Sequence, residues 1–366
     1  MNRVVITGVG VVGPTGAGTV PFLSALAEGR PLGEFLEEPG RRGRPRSLRV
    51  AKIPPFDRER FLPARKLRRM GELSQIWTLA CLLARSDAGL EGEGASLPSP
   101  EMRGTFLGSG FGCTDTTWEY LEGMFRDGMA AASPFLFSES VANAPAGHSA
   151  IELDARGTCV TLTGGDASAA VAVGTAVRAL KVGRLEVAYA GGLELMTKPL
   201  LHALAVLGGP SHLGEGSACL VLETLSSAKR RDARVIAEVA GSGIASDPRA
   251  SATSWSTDPE TFRAAMAHAW KAASRDDGAG SRHPGAVRLH ACGSPASDEA
   301  EAAAAESIAP GVPRLSATPV FGSHAAAGGF NLVAAALEAA SRGEVLLHAH
   351  AWGGSACSLV FRKIAG

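Results

Sequence analysis

The sequence predicts an α/β protein with an internal duplication, and three observations predict it. Short β-branched runs repeatedly end in glycine turns that lead into small-residue helical stretches, the strand–turn–helix order of α/β folds. The opening strand-to-glycine run, Val4 to Gly13, is weakly echoed by the run from Ala233 to Gly243. The chain of 366 residues carries 45 glycines and only 5% aromatic residues, so it suits one large domain or two fused halves with close backbone packing and many tight turns.

Composition excludes several classes. Lys plus Arg and Asp plus Glu both total 36, a formal net charge of zero, which argues against a nucleic-acid footprint spread over the surface. Cys81, Cys113, Cys159, Cys219, Cys292 and Cys357 are scattered without a C-x-x-C pair, so they read as reduced thiols, with no disulfide framework and no metal site. No uncharged apolar run reaches the ~20 residues of a membrane span. Polar second and third residues followed at once by a strand-like run predict no secretory leader, hence a cytoplasmic protein.

Taken in order, Arg3 to Val12 reads as a buried strand. Gly8-Val-Gly10-Val-Val-Gly13 satisfies G-x-G-x-x-G, but Pro14-Thr-Gly-Ala-Gly interrupts the helix that should follow, and no second strand ends in an acid ~20 residues on, so a dinucleotide site is disfavoured. Arg41 to Arg46 is a basic loop, either solvated or a contact for an acidic carrier protein. Lys66 to Gln75 leads into a helix through Ser86, Glu91 to Pro100 is a surface loop, and Arg103 to Gly112 is a strand with its turn. Val173, Val177 and Leu180 make a core stripe at helical spacing. Strands follow at Leu185 to Ala190 and Ala218 to Glu223, Thr257-Asp-Pro-Glu260 starts a helix, and Asp276 to Gly285 is a loop.

The chain is organised around Thr161-Leu-Thr-Gly-Gly-Asp166-Ala-Ser-Ala-Ala170: a strand (Thr158 to Thr163), a tight glycine turn, and a helix (Ala167 to Val182). Read locally, Asp166 is an N-cap acceptor at the positive end of a helix.

The same run resembles the nucleophile turn of β-ketoacyl-ACP synthases, condensing enzymes of the thiolase superfamily. Arg156-Gly157, Thr161-Leu162-Thr163, Ala167-Ser168 and Ala190-Gly191-Gly192 match that pattern, and Asp166 stands at the position of the family's nucleophilic cysteine. Further resemblances keep the same order along nearly the whole chain. They are Val4 to Val12, Lys66 to Gln75 (with Gly71 for an acid), Thr105 to Gly112, and Asn143 to Ala150, whose His148 reads as packed or at a dimer face. In the second half, His290 to Glu301 resembles the H-G-T segment, with His290, Asp298 and Glu301 in register but Arg288 and Cys292 replacing Asn and Thr. Gly322-Ser-His324 to Gly329 resembles the second histidine segment, with Pro319 where a lysine is usual. His350 to Cys357 resembles the F-G-G turn, with Trp352 for Phe and Ala356 for Asn. The loop before Gly214-Glu215-Gly216 is shorter than usual; Glu215 reads as a buried structural acid.

The resemblance implies a thiolase-like fold: two duplicated α/β halves, 1–230 with the altered nucleophile turn and 231–366 with the two histidines, each with a mixed five-stranded sheet, layered αβαβα. It implies dimerisation through the strand at Thr158 to Thr163 and a catalytic set of Asp166 (for cysteine), His290 and His324, with Trp352 and Gly353 at the oxyanion turn. No cofactor is implied beyond the phosphopantetheine of a partner acyl carrier protein. Two functions follow as expectations. One is a chain-length factor that pairs as a heterodimer with an active ketosynthase in type II polyketide, polyene or fatty-acid-like biosynthesis and shapes the acyl tunnel. The other is an enzyme of altered chemistry, in which Asp166, His290 and His324 run malonyl-carrier decarboxylation, hydrolysis or non-covalent condensation. A binding protein without carrier contact is a third possibility.

Overall fold

The computed structural model describes residues 2–91, 97–274, 283–323 and 325–364, with backbone only over 325–328. The loops expected at 91–100 and 276–285 lie largely outside the described residues.

Ten strands carry the fold. In the first half they are β1 (Val4–Gly13), β2 (Arg103–Ser109), β3 (Cys159–Thr163), β4 (Val187–Glu194) and β5 (Gly216–Thr224). In the second they are β6 (Ala237–Ser246), β7 (Ala286–Arg288), β8 (Arg314–Leu315), β9 (Glu344–His350) and β10 (Ser355–Arg362). The spatial order is β3-β2-β4-β5-β1 and then β6-β10-β9-β7-β8, the same order and the same parallel and antiparallel pairings running outward from the middle.

The two five-stranded sets also touch each other: Val5 pairs with Glu238 and Ile6 with Ala237, a short antiparallel contact between β1 and β6. Each half begins with a strand that has a free side, and an unpaired ladder edge costs hydrogen bonds when buried. A smaller sheet of Glu34–Pro39, Pro45–Ala51 and His212–Gly214 stands beside the main one.

Five helices make the layers: α1 (Glu72–Asp87), α2 (Ser168–Lys181), α3 (Pro259–Ser274), α4 (Pro295–Ile308) and α5 (Ala325–Arg342). Helices α2 and α5 touch each other and strands of both halves, so they form the central layer. Helix α1 covers β1 and β5 on one outer face, and α3 with α4 covers the other. Val173, Val177 and Leu180 of α2 are buried as their spacing predicts.

The glycine echo has a packing cause. A Cβ on Gly8 or Gly10 would collide with the carbonyls of Ala84 or Ala80 in α1, and one on Gly241 or Gly243 with those of Ala269 or Ala265 in α3. In each half, the glycines let a helix lie directly on the first strand, which also shows a register shift at the same place, Ile6/Gly8 and Val239/Gly241. The G-x-G signal is thus a helix–strand contact inside a fully buried strand, with no phosphate loop.

Candidate functional site

The strand–turn–helix at the centre folds as its sequence predicts. β3 ends at Thr163, Gly164 and Gly165 turn the chain, and α2 starts at Ser168. Gly165 has φ +65 and faces Ala351, where an added Cβ would come within 2.9 Å of that residue's Cβ. This brings the turn against the end of β9, so both halves meet at Asp166.

Asp166 is not the N-cap expected of it. Its carboxylate caps neither the turn nor α2; instead Ser168 Oγ accepts the Gly164 N–H at 2.8 Å and donates to Gly165 O and Ser109 O. The Asp166 side chain lines a cleft of about 250 Å³, where Ser323 Oγ donates to Oδ1 at 3.4 Å. Burial raises its pKa to about 6, against the opposing influence of His350.

His290 comes to this point from the other half. Its Nε2 lies 3.9 Å from Asp166 Oδ1. The backbone beneath it is tightly held: Glu301 of α4 accepts the His290 N–H at 2.8 Å and the Ala291 N–H at 2.9 Å. That fixes Ala291 at a left-handed φ of 52. Arg288, fully buried, pairs bidentately with Glu338 and donates to Asn331, which itself accepts the Ala317 N–H. Arg288 therefore anchors this segment to α5. Burial pushes the His290 pKa down to about 3, so its ring is neutral, and neither ring nitrogen has a hydrogen-bond partner among the described residues.

The remaining expected residues divide. His324 lies outside the described residues. Trp352 lines the cleft. Gly353 is corrected: its N–H donates to Ser254 O at 3.2 Å, so it is engaged by the loop before α3 and does not point its donor at the cleft. Glu215 is the buried structural acid expected, accepting from Ile53 and Met196. His148 is packed, bonded at 2.7 Å to the buried Glu139, which also accepts from Gly71 and Ser74.

Four residues escaped the sequence reading. His348 and His350 alternate along β9, so both side chains face the same way, and both rings are wholly buried. His350 Nε2 stands 3.8 Å from Glu301, whose carboxyl is held down to about 2: its hydrogen bonds and the nearby imidazoles outweigh burial. The His-x-His alternation was the available signal. Trp255 packs edge-on against His290, His350 and Trp352 at 5.5, 5.2 and 6.0 Å, and no local pattern marks it. Glu194, at the end of β4, accepts from Gly110 and Phe111 N–H at 2.7 and 2.9 Å, and burial raises its pKa to about 8. Next to the cleft is an apolar cavity of about 490 Å³ that shares Phe111 and Leu204 with it.

This arrangement has the mixed α/β, thiolase-like architecture of ketosynthases. The fold matches the structure described as the ishigamide ketosynthase/chain length factor at TM-score 0.85, 21% identity and full coverage of both chains. It also matches a β-ketoacyl synthase from Burkholderia phymatum at TM-score 0.80 and 23% identity, again over both whole chains. The family profile described as Beta-ketoacyl synthase, N-terminal domain matches residues 1–208. The chain belongs to the β-ketoacyl synthase family. Among its relatives, the 3-oxoacyl-(acyl-carrier-protein) synthase 2 of Coxiella burnetii is 26% identical over 83% of this chain and 76% of its own length. The enzyme of the same name from Vibrio cholerae is 27% identical over 82% and 75%.

Proposed function

We propose that this chain is a chain-length factor: a non-condensing partner that pairs with an active ketosynthase, meets its acyl carrier protein, and shapes the acyl cavity. The observation that carries the reading is Asp166 at the nucleophile turn, partly neutralised by burial and facing a neutral His290. A condensing nucleophile must accept an acyl group from a thioester and release it to a carbanion. A carboxylate attacks a thioester weakly, and the mixed anhydride it would form hydrolyses readily.

Three further features support pairing. β3 ends the sheet, hydrogen-bonded only to β2 among the described strands, and such an edge invites a partner. Phe125 and Met129, between Thr114 and Ala131, and Ile151 are exposed by 87, 80 and 75%, large apolar side chains that a partner could cover. The fold's likeness to the ishigamide ketosynthase/chain length factor points the same way. The test is co-expression with a cysteine-bearing ketosynthase, followed by native mass spectrometry. A one-to-one heterodimer is expected; a stable homodimer that ignores the ketosynthase overturns the reading.

One observation favours the second reading, an enzyme of altered chemistry. Asp166 and His290 are an adjacent acid and imidazole whose pKa values burial pushes toward each other's usual range, as in acid–base sites. Malonyl-loaded carrier protein incubated with the purified chain and weighed intact decides between them. Loss of CO₂ or of the acyl group, abolished by His290→Ala, selects the enzyme; an unchanged carrier leaves the partner reading in front.

A further inference from the structure

We propose that the cleft beside Asp166 binds a small organic ammonium group. Phe111, Trp255 and Trp352 wall it, the Asp166 carboxylate stands among them, and no lysine or arginine lines it among the described residues. Trp255 and Trp352 meet at an interplanar angle of 69° with centroids 6.0 Å apart, so the two indoles form a corner. Aromatic faces carry negative quadrupole density, and rings around a carboxylate are the surroundings that hold a desolvated ammonium. The cleft's volume of about 250 Å³ has room for a trimethylammonium head.

The charges around the cleft fit the same ligand. Glu194 lies behind Gly110, where an added Cβ would come within 2.9 Å of its Oε2, and its Oε1 is buried without a partner. His290 and His348 are held neutral by burial. His350 faces Glu301, an anion. Asp166 is thus left without a dedicated counter-cation among the described residues, and Ser323 offers it only a hydroxyl. An incoming ammonium supplies the missing charge. A malonyl carboxylate meets like charge here.

This inference does not depend on pairing with a ketosynthase, and the isolated chain tests it. Calorimetry compares choline with 3,3-dimethyl-1-butanol, its neutral isostere. It also compares β-alanyl-pantetheine with butyryl-pantetheine, which present an ammonium or a methyl on a carrier-like arm. The charged member of at least one pair should bind about tenfold tighter, in line with a desolvated cation–π site plus a carboxylate. Preference in the first pair alone identifies a free amine, and preference in the second alone an aminoacyl group carried on pantetheine. Asp166→Asn should remove the preference, and Trp255→Leu should weaken charged-ligand binding while circular dichroism stays unchanged. Equal binding within both pairs by the wild-type chain, or no binding of any probe, overturns the proposal.

Discussion

His290 Nε2 lies 3.9 Å from Asp166 Oδ1, and the two residues come from opposite halves of the chain. Each is buried in a way that disfavours its charged form: Asp166 is pushed up to about 6 and His290 down to about 3. The pair therefore contributes opposite pH dependences to stability.

For Asp166, the folded pKa lies above the unfolded one near 3.9. The folded state binds the proton more readily, so the group's contribution is most favourable below pH 4 and is lost as pH rises through 6. Asp166→Asn removes that loss. Its stability relative to wild type should improve between pH 4 and pH 7 by up to about 3 kcal/mol. Urea unfolding at the two pH values measures this; a difference that is constant with pH contradicts it.

For His348 the sign reverses. Burial depresses its pKa to about 4, so its contribution is present above the unfolded value near 6.5 and is lost as pH falls toward 4. At pH 5 the unfolded chain is protonated here and the folded chain is not, a cost of about 2 kcal/mol. His348→Gln loses the bond to Ser358 at both pH values but escapes that cost. Its stability deficit should therefore shrink by about 2 kcal/mol on going from pH 7 to pH 5, followed by the same unfolding assay.

Glu301 and His350 are both wholly buried and 3.8 Å apart, and Glu301 also holds the backbone under His290. Glu301→Gln puts an amide NH2 where one carboxylate oxygen accepts a backbone N–H of His290 or Ala291, so it should cost about 1–3 kcal/mol. A double-mutant cycle with His350→Gln should give a coupling of more than about 1 kcal/mol. Additive losses would show that the two side chains do not interact.

Gly10 packs under the carbonyl of Ala80. Gly10→Ala should destabilise the fold by about 1–3 kcal/mol through overpacking. The melting temperature should fall by the same amount with or without NAD, since these glycines cradle no phosphate.

Much of the architecture was legible in the sequence because it is written locally. A β-branched run, a Gly-Gly turn and an alanine-rich stretch have few alternatives to strand, turn and helix, and the order of the motifs gave the thiolase-like fold. The role of the first glycine pair was legible only as something other than a nucleotide site. Its partner, α1, is more than 60 residues away in the chain, so the packing reason needed the fold. Asp166 was found, but its orientation was not: a short acid at a helix start has the same local sequence whether it caps the helix or faces a cleft.

The sequence by itself determined the strand, glycine turn and helix around Asp166 and the chain order of the motifs that carry the family resemblance. Only the tertiary structure decided that the two five-stranded sets touch at β1 and β6, that the Gly353 N–H is engaged by Ser254, and that His348, His350, Trp255 and Glu194 surround the same point. Those four residues lie on three separate elements, and their effect on one another is desolvation and charge. Both depend on distances through space, which no spacing along the chain encodes.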